Sequence, residues 1–283
     1  MELVTTIREV REQVRRVRAA GLAIGLVPTM GYLHEGHASL VRRAAAAGGL
    51  VIVSIFVNPR QFGPGEDLDR YPRDLSGDLA TCAAAGAGLV FAPSPAEMYP
   101  AGFSTAVEVA GLGDALCGGV RPGHFAGVAT VVSKLFNIAR PDRAYFGQKD
   151  YQQSLIIRRL AADLDFGVEV VVGPTVRDAD GLALSSRNSY LSPAERRAAA
   201  VLPQALETAR AEIAAGQRDG RELADRVRAV IGREPLATID YVAVVDAATL
   251  EPLDRLAGTV LVALAVHFGG TRLIDNALID VPA

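Results

Sequence analysis

Residues 50–57, Leu-Val-Ile-Val-Ser-Ile-Phe-Val, form a nearly unbroken run of β-branched and large apolar side chains. A strand with no polar face must be covered on both sides, and the parallel sheet of an α/β protein is the arrangement that does this. Shorter apolar runs at residues 23–27, 89–92, 143–146 and 168–172 alternate with stretches of helical spacing. Strand followed by helix, repeated, predicts a Rossmann-like, doubly wound parallel sheet. Residues 105–109 read as one further short strand. Beyond residue 174 the pattern changes. Ser192-Pro193-Ala194-Glu195 is a strong helix start that predicts one long helix, and residues 220–231 predict a second. Residues 239–245, 259–266 and 271–279 then read as strands, the last two flanking Phe268-Gly269-Gly270 as a hairpin. The expected organisation is a nucleotide- and substrate-binding domain at 1–175 and a smaller α+β domain at 176–283 that covers the active site.

Half of the 283 residues are hydrophobic, enough for a sizeable core. A formal net charge of −3 excludes a general nucleic-acid binder, so any polyanion has to be met by a local cluster of cations. Cys82 and Cys117 are too few for a disulfide framework and are expected as buried small hydrophobes. No apolar run approaches the twenty residues of a membrane span, and residues 1–6 lack the features of a secretion signal. A cytoplasmic enzyme is the expectation.

Two of the four histidines fall within four residues, in Val27-Pro-Thr-Met30-Gly31-Tyr32-Leu33-His34-Glu35-Gly36-His37. Pro28 is expected to end the strand, because it cannot donate to a central ladder. Leu33, Leu40 and Val41 resume with helical spacing, giving strand, turn and helix. The first amides of a helix lack intrahelical acceptors and the dipole there is positive, so the start of this helix suits a phosphate. His34 and His37, at i and i+3, would flank it, and Gly36 leaves room for a flat group. Zinc is disfavoured, since the hydrolase motif places its histidines at i and i+4.

In a doubly wound sheet, ligands bind outside the carboxyl ends of the strands. Asn58 and Gln61 follow one such end, and Lys149 and Asp150 follow another. Asp78 is a candidate carboxylate for a magnesium ion near phosphates. Ser185-Ser186-Arg187 places two hydroxyls beside a fixed-charge fork, a segment suited to wrapping phosphates.

His34-Glu-Gly-His37 resembles the H-x-G-H signature of the adenylate-forming nucleotidyltransferases, and residues 28–37 resemble the pantothenate synthetase family in particular. Phe56-Val-Asn58-Pro-Arg-Gln61-Phe62, Arg121-Pro-Gly-His124-Phe, Phe146-Gly147-Gln148-Lys149-Asp150-Tyr-Gln-Gln153 and Ser185-Ser186-Arg187-Asn188 agree with that family in order. The resemblance covers most of residues 22–192. It implies ATP-dependent joining of pantoate to β-alanine through a pantoyl-adenylate, with release of AMP and pyrophosphate. It further implies His37, His34, Lys149 and Arg187 as catalytic groups, with His37 as the proton donor. ATP would be held by Met30, Gly31, Tyr32, Leu33, His34, Glu35, Gly36, His37, Gly147, Gln148, Lys149, Asp150, Val176, Leu184, Ser185, Ser186 and Arg187, with Mg2+ on the phosphates. Pantoate and β-alanine would be met by Gln61, Gln153 and Asn58. The family also implies a homodimer. His124 is left between a ligand contact and a helix cap. Two rivals remain open: another H-x-G-H adenylyltransferase acting on a phosphate-bearing acceptor, and a non-catalytic nucleotide sensor.

Overall fold

The computed structural model describes residues 1–282, which divide into two compact units, residues 1–174 and 175–282. In chain order the first unit consists of β1 (Glu2–Val4), α1 (Ile7–Ala19), β2 (Ile24–Thr29), α2 (Glu35–Ala46), β3 (Leu50–Ile55), α3 (Leu75–Ala85) and β4 (Leu89–Phe91). There follow the short turns α4 (Pro95–Met98) and α5 (Cys117–Val120), then α6 (His124–Ala139), β5 (Arg143–Gly147), α7 (Tyr151–Asp163) and β6 (Glu169–Gly173).

Six strands form one sheet in the order β1-β4-β3-β2-β5-β6, and every pair in it is parallel. Val51, Ile52 and Val53 are successive and all at most 2% exposed, so both faces of β3 are covered, as its composition requires. Each such side chain contributes about 1.5–3 kcal/mol on burial. The chain runs outward from β2 through β3 to β4, then returns to place β5 on the other side of β2. The switch point therefore lies between β2 and β5, and the turns that leave these strands border one crevice.

Pro28 does not end β2. It lies inside the strand, in register with Ser54 of β3. The carbonyls of Ala23 and Thr29 accept from the β3 side, whereas that of Ile24 accepts from the Asp142 amide just ahead of β5. Backbone groups alternate along a strand, so the amide that Pro28 lacks would face β5. Pairing with β5 stops at Leu26, so no ladder bond is lost.

Residues 105–109 are not a strand. The Val107 amide donates to Thr130 Oγ1 of α6 at 3.0 Å, so part of this segment is satisfied by a helix side chain. The three-residue edge strand β1 has no counterpart in the sequence reading.

The second unit holds α8 (Pro193–Ala198), α9 (Val201–Ala214) and α10 (Gly220–Ile231). It ends in the antiparallel sheet of β7 (Ala237–Asp246), β8 (Gly258–Phe268) and β9 (Thr271–Val281). Leu202, Leu206, Leu223 and Val227 share a core with Val262, Leu264, Phe268 and Leu273. The expected hairpin is present, with Phe268 paired to Thr271. The single long helix after Ser192 is instead two helices that break at Ala199 and Ala200. Pro203 is the cause: in a continuous helix its ring would collide with the carbonyl of Ala199 four residues back, whereas in the first turn of a new helix it is tolerated. Among the described residues no helix is long and apolar enough to cross a membrane.

Candidate active site

The turn after β2 is built on Asp78, which is 3% exposed on α3. Its Oδ2 accepts from the Tyr32 amide at 2.9 Å and its Oδ1 from the Leu33 amide at 2.6 Å. Burial raises its pKa, opposed by these two backbone bonds. Both oxygens are thus engaged in shaping the turn, and a Cβ on Gly31 would stand 2.9 Å from Oδ2. Among the described residues no group of three or more His, Cys, Asp or Glu could hold a metal.

α2 opens with a histidine capping box. His34 Nδ1 accepts from the Gly36 amide at 3.1 Å, and His37 Nδ1 accepts from the His34 amide at 3.3 Å. The two rings lie 4.2 Å apart, centroid to centroid. Burial depresses His34 to about 4, with a further contribution from the Lys149 cation. Burial, followed by His34, takes His37 down to about 3. Both rings are therefore neutral at pH 7. Because each Nδ1 accepts a backbone N–H, the ring proton of each sits on Nε2. The pair thus presents two uncharged N–H donors at the start of a helix. Gly36 permits this, since a Cβ there would meet the His34 ring at 2.8 Å.

Lys149 and Asp150 occupy the turn after β5 and lie 3.4 Å apart, Nζ to Oδ1. Both influence the charge on His34 and His37, so the structure brings the two turns together at the switch point. Gly147 and Gln148 form the same turn. Glu35 is exposed and ion-paired with Arg42.

On the neighbouring edge Gln61 donates from Nε2 to Met30 Sδ at 3.1 Å and accepts at Oε1 from Asn58 at 3.1 Å. Asn58 is only 1% exposed. Its amide is engaged by Gly127, Gln61 and Tyr99, so it supports Gln61 from behind and presents no surface to a ligand. His124 donates from Nδ1 to the Gln61 carbonyl at 2.7 Å and faces Arg121 Nη1 at 3.1 Å through Nε2. Arg121 in turn makes a two-point ion pair with Glu66. His124 is therefore a support for Gln61. Of the two glutamines on α7, Gln152 is buried and bonded to Leu112, Ala115 and Cys117, while Gln153 is half-buried.

In the second unit, Val176 and Leu184 are the two arms of a short antiparallel turn, the Leu184 amide donating to the Val176 carbonyl at 3.0 Å. Arg177 holds this turn through a two-point pair with fully buried Asp275, at 2.6 and 2.9 Å. Ser185 caps the following turn, Ser186–Tyr190, by accepting from the Arg187 amide at 3.3 Å. The support roles of Asp78, Tyr99 and Arg177 were missed in sequence. Asp78 alone left a signal there, lying four residues before buried Cys82 on the same face of α3.

A parallel sheet with its reversal at β2 and β5, a helix start facing that crevice, and a lysine beside two neutral histidines define a nucleotide-using α/β protein of the H-x-G-H type. Sequence comparison identifies the branch: the model of the pantoate-β-alanine ligase family matches residues 2–278. The chain belongs to that family. It is 58% identical to a pantothenate synthetase of Moorella thermoacetica over 99% of both chains. The crystal structure of pantothenate synthetase from Thermus thermophilus superposes with a TM-score of 0.92 at 49% identity, covering 98% of this chain and 99% of that one. A pantoate-β-alanine ligase from Francisella tularensis, complexed with β-γ ATP and β-alanine, gives 0.81 at 34% identity over 98% and 97%. The resemblance and the fold class expected from sequence are both borne out.

Proposed function

We propose that this chain condenses pantoate with β-alanine at the expense of ATP, through a pantoyl-adenylate. The observation that carries the reading is the pair of Nε2–H donors on neutral His34 and His37, fixed at a helix start beside Lys149. Attack of the pantoate carboxylate on the α-phosphorus forms a new P–O bond and expels pyrophosphate. Negative charge grows on the non-bridging and leaving oxygens, and preorganised donors in a dry site stabilise it. Neutral imidazoles supply hydrogen bonds there without surrendering a proton in the resting state, so His37 acts as a hydrogen-bond donor to the developing charge. This refines the proton-donor role expected from the sequence.

Lys149 meets the phosphates, with the backbone of residues 30–37 and of Gly147 to Asp150. Ser185, Ser186 and Arg187 of the second unit are assigned to the phosphates as well, on the strength of their donor chemistry. Mg2+ accompanies ATP and offsets its charge. Gln61 and Gln153 take pantoate, since neutral amides suit a hydroxy acid better than a phosphate-bearing acceptor, which would call for further cations. In the second half-reaction the β-alanine amine attacks the acyl carbon, AMP leaves, and the amine loses a proton as the amide forms. A homodimer in the cytoplasm belongs to the same reading, and a monomeric mass in solution at micromolar concentration would remove the dimer.

Pantoate carrying ¹⁸O in its carboxylate tests the route. One label appears in AMP if the α-phosphorus is attacked. Label in inorganic phosphate, with ADP as co-product, would instead mean acyl-phosphate chemistry and would overturn the reading.

A further inference from the structure

Tyr99 lies just beyond α4, and nothing in its sequence context marks it as functional. Its ring packs against Phe103 at 5.1 Å and Phe56 at 6.1 Å between centroids. Arg60 and Lys134 both stand over the Tyr99–Phe103 pair, Arg60 at 5.5 and 5.2 Å from the two rings and Lys134 at 5.9 and 4.9 Å. Two cations against the aromatic pair hold the ring in place. Its hydroxyl lies 2.8 Å from Asn58 Oδ1.

The direction of that bond follows from the hydrogen count on Asn58. Both hydrogens of Nδ2 are taken, one by the Gly127 carbonyl and one by Gln61 Oε1, each at 3.1 Å. Tyr99 therefore faces the carbonyl oxygen of the amide and donates to it. Burial pushes the phenol up to about 12, so it stays protonated throughout the working range. With one N–H of Asn58 held by the Gly127 carbonyl and Oδ1 held by Tyr99 and the Arg60 amide, Asn58 must offer its other N–H to Gln61, and Gln61 must turn its oxygen inward. Its Nε2 then points outward beside Met30 Sδ, a weak acceptor that a substrate oxygen would outcompete. The polarity of Gln61 is thus set two residues away. Its backbone is held separately, by His124 on its carbonyl.

We infer that Tyr99 is a positioning residue for pantoate: its hydroxyl makes the shorter of the two bonds to Asn58 Oδ1 and so tightens the hold of Asn58 on the Gln61 amide, whose N–H donor faces the hydroxy acid. Without that hydroxyl the Asn58 oxygen keeps only the Arg60 amide at 3.4 Å, and the amide that faces Gln61 is held by that long bond and the Gly127 carbonyl alone. The inference rests on the reading of Gln61 as a pantoate contact.

The test is a kinetic cycle of Tyr99→Phe, Gln61→Ala and the double variant, with Tyr99→Leu alongside to report on the ring. Removing one neutral hydrogen bond should raise the KM for pantoate in Tyr99→Phe by roughly 2- to 12-fold. The KM for ATP should stay within twofold, and the Tyr99→Phe effect should vanish once Gln61 is alanine. A wild-type pantoate KM in Tyr99→Phe, with a defect only in Tyr99→Leu, would show that the ring matters and the hydroxyl does not. An undiminished effect in the Gln61→Ala background would equally overturn the proposal, because Tyr99 would then act by another route. Should Gln61→Ala itself leave the pantoate KM unchanged, the reading of Gln61 fails first, and this inference with it.

Discussion

Replacing Gly36 with alanine separates the stability of α2 from its chemistry. An ideal Cβ at that position lies 2.8 Å from His34 Cε1 and 2.9 Å from His34 Nδ1. The obstacle is the end of a side chain, so the fold can respond by swinging the ring away. The lost bond from the Gly36 amide to His34 Nδ1 is a cap of about 0.5–2 kcal/mol. Against it, alanine in place of glycine inside a helix gains up to about 1 kcal/mol. Net stability should thus move by no more than about 1 kcal/mol, in either direction. The chemistry has no such compensation. A preorganised donor of this kind is worth roughly 10²–10³ in rate, and the swing removes His34 from its place and from its ring contact with His37. Single-turnover release of AMP and pyrophosphate should therefore slow by about two orders of magnitude, while the thermal midpoint stays nearly fixed. A variant with a wild-type single-turnover rate would show that the position of His34 is not what the turn is built to provide. One that unfolds at room temperature would show that Gly36 serves the fold.

Two further outcomes follow from the same turn. Folding depresses His34 and His37 from the ordinary 6.5 to about 4 and about 3, so between those values the unfolded chain binds more protons than the folded one. Their contribution to stability is complete above pH 6.5 and is lost as the pH falls toward 3. Melting curves at pH 7.5 and pH 5 should show the drop, and a His34→Gln/His37→Gln variant should show less of it; an equal drop in both proteins would contradict the assignment. Asp78→Asn turns an amide NH2 toward one of the two backbone N–H groups it now accepts, which should cost about 1–3 kcal/mol and weaken ATP. Melting with and without ATP measures both, and an unchanged midpoint would refute the anchoring role.

The parallel sheet was legible because a strand buried on both faces has nothing polar to hide behind, and residues 50–57 say so directly. The turn after β2 was legible for a chemical reason, since two histidines one helical turn apart at a helix start have few structural uses. Pro28 misled because the rule that excludes proline from a ladder applies only on the side where a partner exists. The break at Ala199 had a visible cause in Pro203, masked by the strong cap at Ser192. Asn58 could not be separated from Gln61, nor Gln152 from Gln153, because residue type does not record which way an amide faces. Local pattern was also silent on Tyr99, whose role depends on a bond to a residue 41 positions earlier.

The register of β2 also constrains how the molecule is made. Its contact with β3 joins neighbours in the chain, Gly25 with Val51, but its contact with β5 joins Gly25 to Arg143. Closing so long a loop costs entropy before any contact repays it, and pairings of this kind are slow to form. The histidine turn can take shape once α3 brings Asp78 against it, whereas Lys149 reaches it only when β5 docks. A partly synthesised chain therefore carries the donors without the cation or the crevice. On the proposed reading of the site, the ability to activate a carboxylate is acquired late, at the moment the central strand gains its second neighbour.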